Sequence, residues 1–404
     1  METKPLRLKN IIQDYPWGSY TFIQDLLGEA QTETPWAELW MGDHPKAPSK
    51  VWVNGQWQPL DVLIARNPEQ ILGPETARRF NNTLPYLFKV LAAQQPLSLQ
   101  AHPNAEQAKN GFDREIHEGI ALTAENRNFK DDRHKPECIC ALTPFWALKG
   151  FRPIPEMVDL FCVACPETLA DAIEYLNQNP HANGLQRFFE ALMTLPEKKI
   201  QRVIGETAAN AIANQERNNE FQWIKTLHEL YPQDIGILSP ILLNLVCLQP
   251  GEALFLNSGD MHAYLDGAGI EIMANSDNVL RGGLTTKHVE VEELMRVLNF
   301  IPHSLDILTP KTGGACEAVY PTPASEFSLS VIGVNDGHYQ SRQVNGPEIL
   351  LCTEGQAEIR WNTSDESLTI RKGNSLLVPA AINNYRISGQ SRIYKAAVGD
   401  LEPA

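Results

Sequence analysis

The chain has 404 residues, a formal net charge of −15 at pH 7 and 43% hydrophobic residues, enough for two or three packed domains at roughly 150 residues each and too apolar for a disordered chain. The acidic balance argues against a nucleic-acid surface, which needs a basic face for phosphates. With mean hydropathy −0.27, no apolar run near the ~20 residues that span a bilayer and no signal-peptide core in the opening METKPLRLKNIIQDYPW, a soluble cytoplasmic protein is expected.

Residues 1–150 alternate short apolar runs with Pro, Gly and Asn, as in VWVNGQW (51–57) and LPYLFKVL (84–91), which predicts antiparallel strands. In LSLQAHPNAEQA (97–108), side chains two apart on a strand share a face. Leu97, Leu99 and Ala101 then point to a core, Ser98, Gln100 and His102 point the other way, and Pro103 ends the ladder. An amide oxygen and an imidazole on one face make half of a metal site, with completions available at Glu137 and His262. From about Pro155 to Pro232 the period changes: Leu185, Phe188, Phe189 and Leu192 follow helical spacing, and Phe221, Ile224, Leu227 and Tyr231 nearly do. Strand signals return at GEALFL (251–256), followed by a turn at NSGD, a strand at MHAYL, a turn at DGAG and a strand at IEIMA. A helix over 287–299 with Val291, Leu294, Val297 and Leu298 on its apolar face comes next. The last hundred residues read as β, with EILLC (348–352), an EGQAEIRW hairpin (354–361) and SLLVPA (375–380).

Two segments share a pattern: Gly251, Asn257, Gly259 and His262, then Gly373, Pro379, Ala381 and Asn384. Both follow the second motif of the cupin barrel, with Asn257 for its proline in the first copy and Asn384 for its histidine in the second. Two small barrels are predicted, the first holding a metal and the second without one.

HKPECIC (134–140) places Lys135 on the same face as Glu137 if extended. Two neutral imidazoles, an amide oxygen and one carboxylate would leave a divalent cation with net charge about +1, able to stabilise an oxyanion. Such donors suit zinc, and also iron, manganese or cobalt. Other features take plainer readings. The seven scattered cysteines form no disulfide framework, and the Cys162/Cys165 pair lies in the helical block without a second pair. Gly267 and Gly269 mark a turn, Phe188 and Phe189 a helix core, and Trp17, Trp36 and Trp40 packing.

The chain resembles the type I mannose-6-phosphate isomerases, the zinc-dependent cupin family also called phosphomannose isomerases. The motifs that carry the resemblance are YPWGS (15–19), PWAELWMGDHP (35–45), PYLFKVL (85–91), LSLQAHPN (97–104), NFKDDRHKPE (128–137), ALTPF (141–145), GDMHAYLDGAGIEIMANSDNVLRGGLT (259–285) and KHVEVEELMRVL (287–298). The resemblance implies one zinc per chain on Gln100, His102, Glu137 and His262, and a catalytic Arg281. It also implies interconversion of mannose 6-phosphate and fructose 6-phosphate through a cis-enediolate, in GDP-mannose biosynthesis. Arg281, always protonated, is expected to hold negative charge. Lys135 is the first candidate for acid and base, with Glu271 and Asp277 as rivals, while Lys89 and His134 are candidates for phosphate binding or ring opening. The expected fold is mainly β with a helical insertion: a catalytic cupin-like barrel from 1–150 and 235–305, a helical domain at 151–234 and a metal-free cupin-like barrel at 306–404. The expected partner is a phosphosugar, the expected state a monomer, and no nucleic acid or membrane is involved. The rivals are an isomerase or epimerase of another phosphosugar, a hydride shift in place of the enediolate, and an idle sugar phosphate binding protein. The last of these should have lost a ligand or Arg281, and the chain has all of them.

Overall fold

Alternation along one strand sorts the first sheet into a polar face and a core face. In the computed structural model, which describes residues 4–399 apart from 166, 336, 363 and 364, strand Tyr86–Ala93 pairs with Glu38–Met41 on one side. On its other side it pairs with the long strand His262–Ala274, and Glu137–Ala141 lies beyond that. Residues opposite one another across an antiparallel ladder share a face. Trp40, Lys89, Glu271 and Ile139 therefore form one row, and Leu87, Met273 and Glu137 the next row on the same face. The residues between them, Leu39, Phe88, Val90, Ile270, Ile272 and Cys138, face the other way and are buried. They share a core with Ile349, Leu351, Leu377 and Tyr394 of the second sheet. Covered on both faces, these strands read as nearly unbroken apolar runs.

The long strand departs from the expected meander. DGAG is not a turn: the chain runs from His262 to Ala274 without a break, kinked by a bulge between Tyr264 and Asp266. Its first half pairs with Leu99–Ala101 and Phe145–Phe151, and its second half with Tyr86–Ala93 and Glu137–Ala141. A bulge adds twist and lets one strand serve two ladders, and glycine marks a bulge as readily as a turn. Gly267 has φ +116°, and a Cβ there would lie 2.5 Å from the Pro144 carbonyl oxygen. The same correction applies to EGQAEIRW, which lies within one bulged strand, Glu348–Trp361, whose hairpin partner is Ser367–Arg371.

The second sheet runs in the order Lys311–Thr312, Glu317–Tyr320, Ser328–Val334, Tyr385–Ala397, Glu348–Trp361, Ser375–Val378, Leu6–Lys9, Lys50–Val53, Gln56–Pro59. Its last three strands come from the N-terminal region, with Leu6 opposite Leu377. The two glycine motifs take equivalent places. Ala253–Leu256 precedes the long strand as Ser375–Val378 precedes Tyr385–Ala397, and each pair follows a left-handed glycine, Gly251 at φ 92° and Gly373 at φ 84°.

Helices fill 154–230, from Ile154–Ala164 to Asn219–Leu230, and bury Phe161, Phe188, Phe189 and Leu227 against Phe151 and Phe300. Helices also interrupt the region read as strands: Leu60–Arg66, Pro68–Leu72, Pro74–Arg79 and Ala105–His117. The last of these opens on a capping box of Asn104 and Gln107, a start signal present in the sequence. The helix expected over 287–299 is shorter, Val291–Val297. The fold is mainly β with a helical insertion.

Gly267→Ala is expected to lower the unfolding free energy by about 2–4 kcal/mol, because it places a Cβ at positive φ against a backbone carbonyl. Urea denaturation measures this, and an unchanged midpoint would show that the bend accepts a side chain.

Candidate active site

Strand register brings the site together. Leu99–Ala101 lies between the long strand and Leu280–Gly283, so Gln100 stands opposite His262 on one side and Arg281 on the other. Glu137 begins its own strand opposite Met273. His102, just past the end of Leu99–Ala101, is buried, as are Glu137 and His262. The imidazole Nε2 of His102 lies 3.3 Å from Glu137 Oε1, and that of His262 lies 3.4 Å from Glu137 Oε2.

Both rings are held in one tautomer by main-chain carbonyls. His102 Nδ1 donates to Asn278 O at 2.7 Å and His262 Nδ1 to Asp260 O at 2.9 Å. Each Nε2 therefore presents a lone pair toward Glu137, the arrangement of metal-binding histidines. His102 Nε2 is buried without a hydrogen-bond partner, and leaving such an acceptor unpaired costs about 1–3 kcal/mol. A tetrahedral ion with bonds of about 2.0–2.1 Å sets its ligand atoms about 3.3 Å apart, close to the spacings seen here. The residues fit a zinc-sized ion.

Electrostatics agree. Burial, reinforced by the Lys135 ammonium, pushes the His102 imidazole down to about 4, so it is neutral near pH 7. Burial alone would raise the Glu137 carboxyl, but the Lys135 ammonium outweighs it and holds the acid well below its ordinary range. Lys135 Nζ sits 2.9 Å from Glu137 Oε1.

A cavity of about 690 Å³ opens beside this cluster, and Gln100, Lys89, Lys135, Asp277 and Arg281 line it. Lys89 Nζ lies 2.9 Å from Glu271 Oε2 and 3.5 Å from Glu38 Oε1. Burial opposes the Lys89 charge, yet these carboxylates raise its pKa above the ordinary range. Glu271 also accepts the Tyr264 hydroxyl at 2.8 Å, so both its oxygens are engaged. Asp277 is 2.8 Å from Lys46 Nζ and 3.5 Å from His44 Nε2. Against the effect of burial, these partners hold its carboxyl below the ordinary range.

His134 does not join this group. Its Nε2 lies 2.7 Å from Glu326 Oε1, and it lines a separate cavity of about 260 Å³. Trp17 and Trp40, read as packing, line the larger cavity, and Trp40 Nε1 donates to Glu38 Oε2 at 2.8 Å. Glu38, Tyr264 and Asn278 went unnoticed in the sequence, although Glu38 and Trp40 alternate on one strand as wall residues do.

Comparison with known proteins places these features in a family. The chain matches models of the phosphomannose isomerase type I catalytic domain over residues 6–154, its helical insertion domain over 164–243, and the mannose-6-phosphate isomerase cupin domain over 317–398. It is 38% identical to mannose-6-phosphate isomerase of Salmonella typhimurium, over 96% of this chain and 98% of that one. To the enzyme of Homo sapiens it is 33% identical, over 91% and 92%. A crystal structure of the Salmonella typhimurium enzyme with fructose 6-phosphate and zinc superposes with TM-score 0.91 at 37% identity, covering 98% of this chain and 100% of that one. The apo form of that enzyme gives 0.91 at 36% identity, over 99% and 100%.

The His102 shift carries a pH signature. Its folded pKa of about 4 lies below the ordinary 6.5, so between these values the unfolded chain binds the extra proton and stability falls with acid. Metal-free protein is expected to lose stability as pH drops from 6.5 toward 4, and His102→Gln should flatten that part of the curve. Equal slopes in the two proteins would contradict a buried neutral His102.

Proposed function

The chain belongs to the type I phosphomannose isomerase family, and from that premise we propose that it is a zinc-dependent aldose–ketose isomerase interconverting mannose 6-phosphate and fructose 6-phosphate. The observation that carries the reading is the buried His102, Glu137 and His262 cluster, beside a cavity edged by Gln100, Lys135 and Arg281.

Gln100, His102, Glu137 and His262 would hold the metal. Bound there, zinc supplies a Lewis-acidic charge of about +1 that stabilises developing negative oxygen. The proton between C1 and C2 is moved by a side chain at the cavity. Lys135 takes this role, since it lines the cavity beside Glu137. Glu271 has both oxygens engaged by Lys89 and Tyr264. Asp277 is paired with Lys46 and held as a weak base. Arg281 keeps its proton and holds negative charge on the cis-enediolate or the phosphate. Lys89, on the cavity wall, contributes to substrate binding; His134, engaged with Glu326 elsewhere, does not.

The same reading makes the enzyme a cytoplasmic monomer acting in GDP-mannose biosynthesis. The seven cysteines, all free, support a reducing compartment. Among the described residues no helix is long and apolar enough to cross a membrane.

Mannose 6-phosphate turnover is expected to disappear on chelation and return with zinc, and in deuterated water the fructose 6-phosphate formed should carry solvent deuterium at C1. Product free of deuterium would point to a hydride shift. Lys135→Ala should lower kcat by at least about 10²-fold, the usual scale for a lost acid–base group, with zinc content unchanged. Near-normal turnover in that variant would remove Lys135 from proton transfer.

A further inference from the structure

Asn278 is fully buried in the loop between the long strand and Leu280–Gly283, and it ties three parts of the site together. Its Oδ1 accepts the backbone N–H of Lys130 at 2.7 Å and of Asp131 at 3.2 Å. Its Nδ2 donates to the main-chain oxygens of Asp131 and Arg133, both at 2.8 Å. Its own carbonyl receives His102 Nδ1 at 2.7 Å, and its own N–H donates to Ser276 Oγ at 3.2 Å. Asp131 closes the clasp, accepting the Ser276 hydroxyl and the Asp277 N–H, each at 2.8 Å.

The segment gripped by the amide, 130–133, leads directly to Lys135 and Glu137. One side chain therefore holds the approach to the proton-transfer lysine and a metal ligand, while the same residue's carbonyl orients a second ligand. The contacts need both halves of a primary amide: the oxygen meets two N–H donors and the nitrogen meets two carbonyl acceptors. Aspartate has the shape without the donors and would set a carboxylate against two carbonyl oxygens.

We infer that Asn278 is a positioning residue that couples the orientation of His102 to the placement of Lys135 and Glu137, an inference that rests on the zinc reading of the site above. Groups that orient metal ligands typically account for about 10–100-fold in metal affinity or activity.

The test is zinc affinity by chelator competition on the full-length protein, with kcat and KM measured at saturating zinc. Asn278→Asp is expected to weaken zinc by about 10-fold or more and to leave kcat low at saturating zinc while KM moves less. Zinc affinity within twofold of the unmodified chain, with only thermal stability reduced, would overturn the inference by showing a merely structural role. Should Asn278→Asp fail to fold, Ser276→Ala decides, since it removes the hydroxyl that holds the Asn278 N–H. A several-fold weaker zinc complex supports the clasp, and unchanged affinity overturns it. If the unmodified chain binds no zinc, the metal reading itself fails before any variant is compared.

Discussion

One buried carboxylate organises the catalytic half of this protein. Glu137 sits between two imidazoles and an ammonium group with almost no access to water. Taking an ion out of water costs several kcal/mol unless charge and hydrogen bonds replace the lost solvation. Its surroundings do this with Lys135 and leave the imidazole lone pairs aimed at the same point. A neutral His102 with its Nε2 unpartnered and an anionic glutamate beside it describe a polar cluster that a cation completes.

Such a cluster needs rigid walls, and the sheets provide them. Each functional side chain is set by strand register: Gln100 against His262 and Arg281, Lys89 against Glu271, Glu137 against Met273. The opposite face of the same strands is core, packed on the second sheet. A one-residue slip would turn every functional group into that core, so burial on one face protects geometry on the other. The second sheet thus has a task of its own: it backs the catalytic sheet, and the N-terminal strand Leu6–Lys9, paired with Ser375–Val378, joins it to the start of the chain.

Much of this was legible in the sequence, for identifiable reasons. Gln100 and His102 stood out because strand periodicity is local and Pro103 ends the run. The two glycine motifs mapped onto matching strand pairs because a left-handed glycine before a strand is a local demand. What escaped depended on distant partners. Gly267 looks the same in a turn as in a bulge, and only pairing with four other strands selects the bulge. Leu6–Lys9 carries no sign that its partner lies more than 350 residues away. Trp40 reads as packing until Glu38 and Lys89 are set beside it. Asn278 looks like an ordinary loop residue, because its value lies entirely in main-chain groups brought to it by the fold.

The proposed zinc site draws only on nitrogen and oxygen atoms, those of Gln100, His102, Glu137 and His262, and on none of the seven cysteines. X-ray absorption at the zinc edge of the purified protein tests it most directly. One zinc per chain, a first shell of nitrogen and oxygen at about 2.0–2.1 Å and scattering from two imidazoles are expected. A zinc–sulfur distance of about 2.3 Å, or a shell without imidazole, would contradict it.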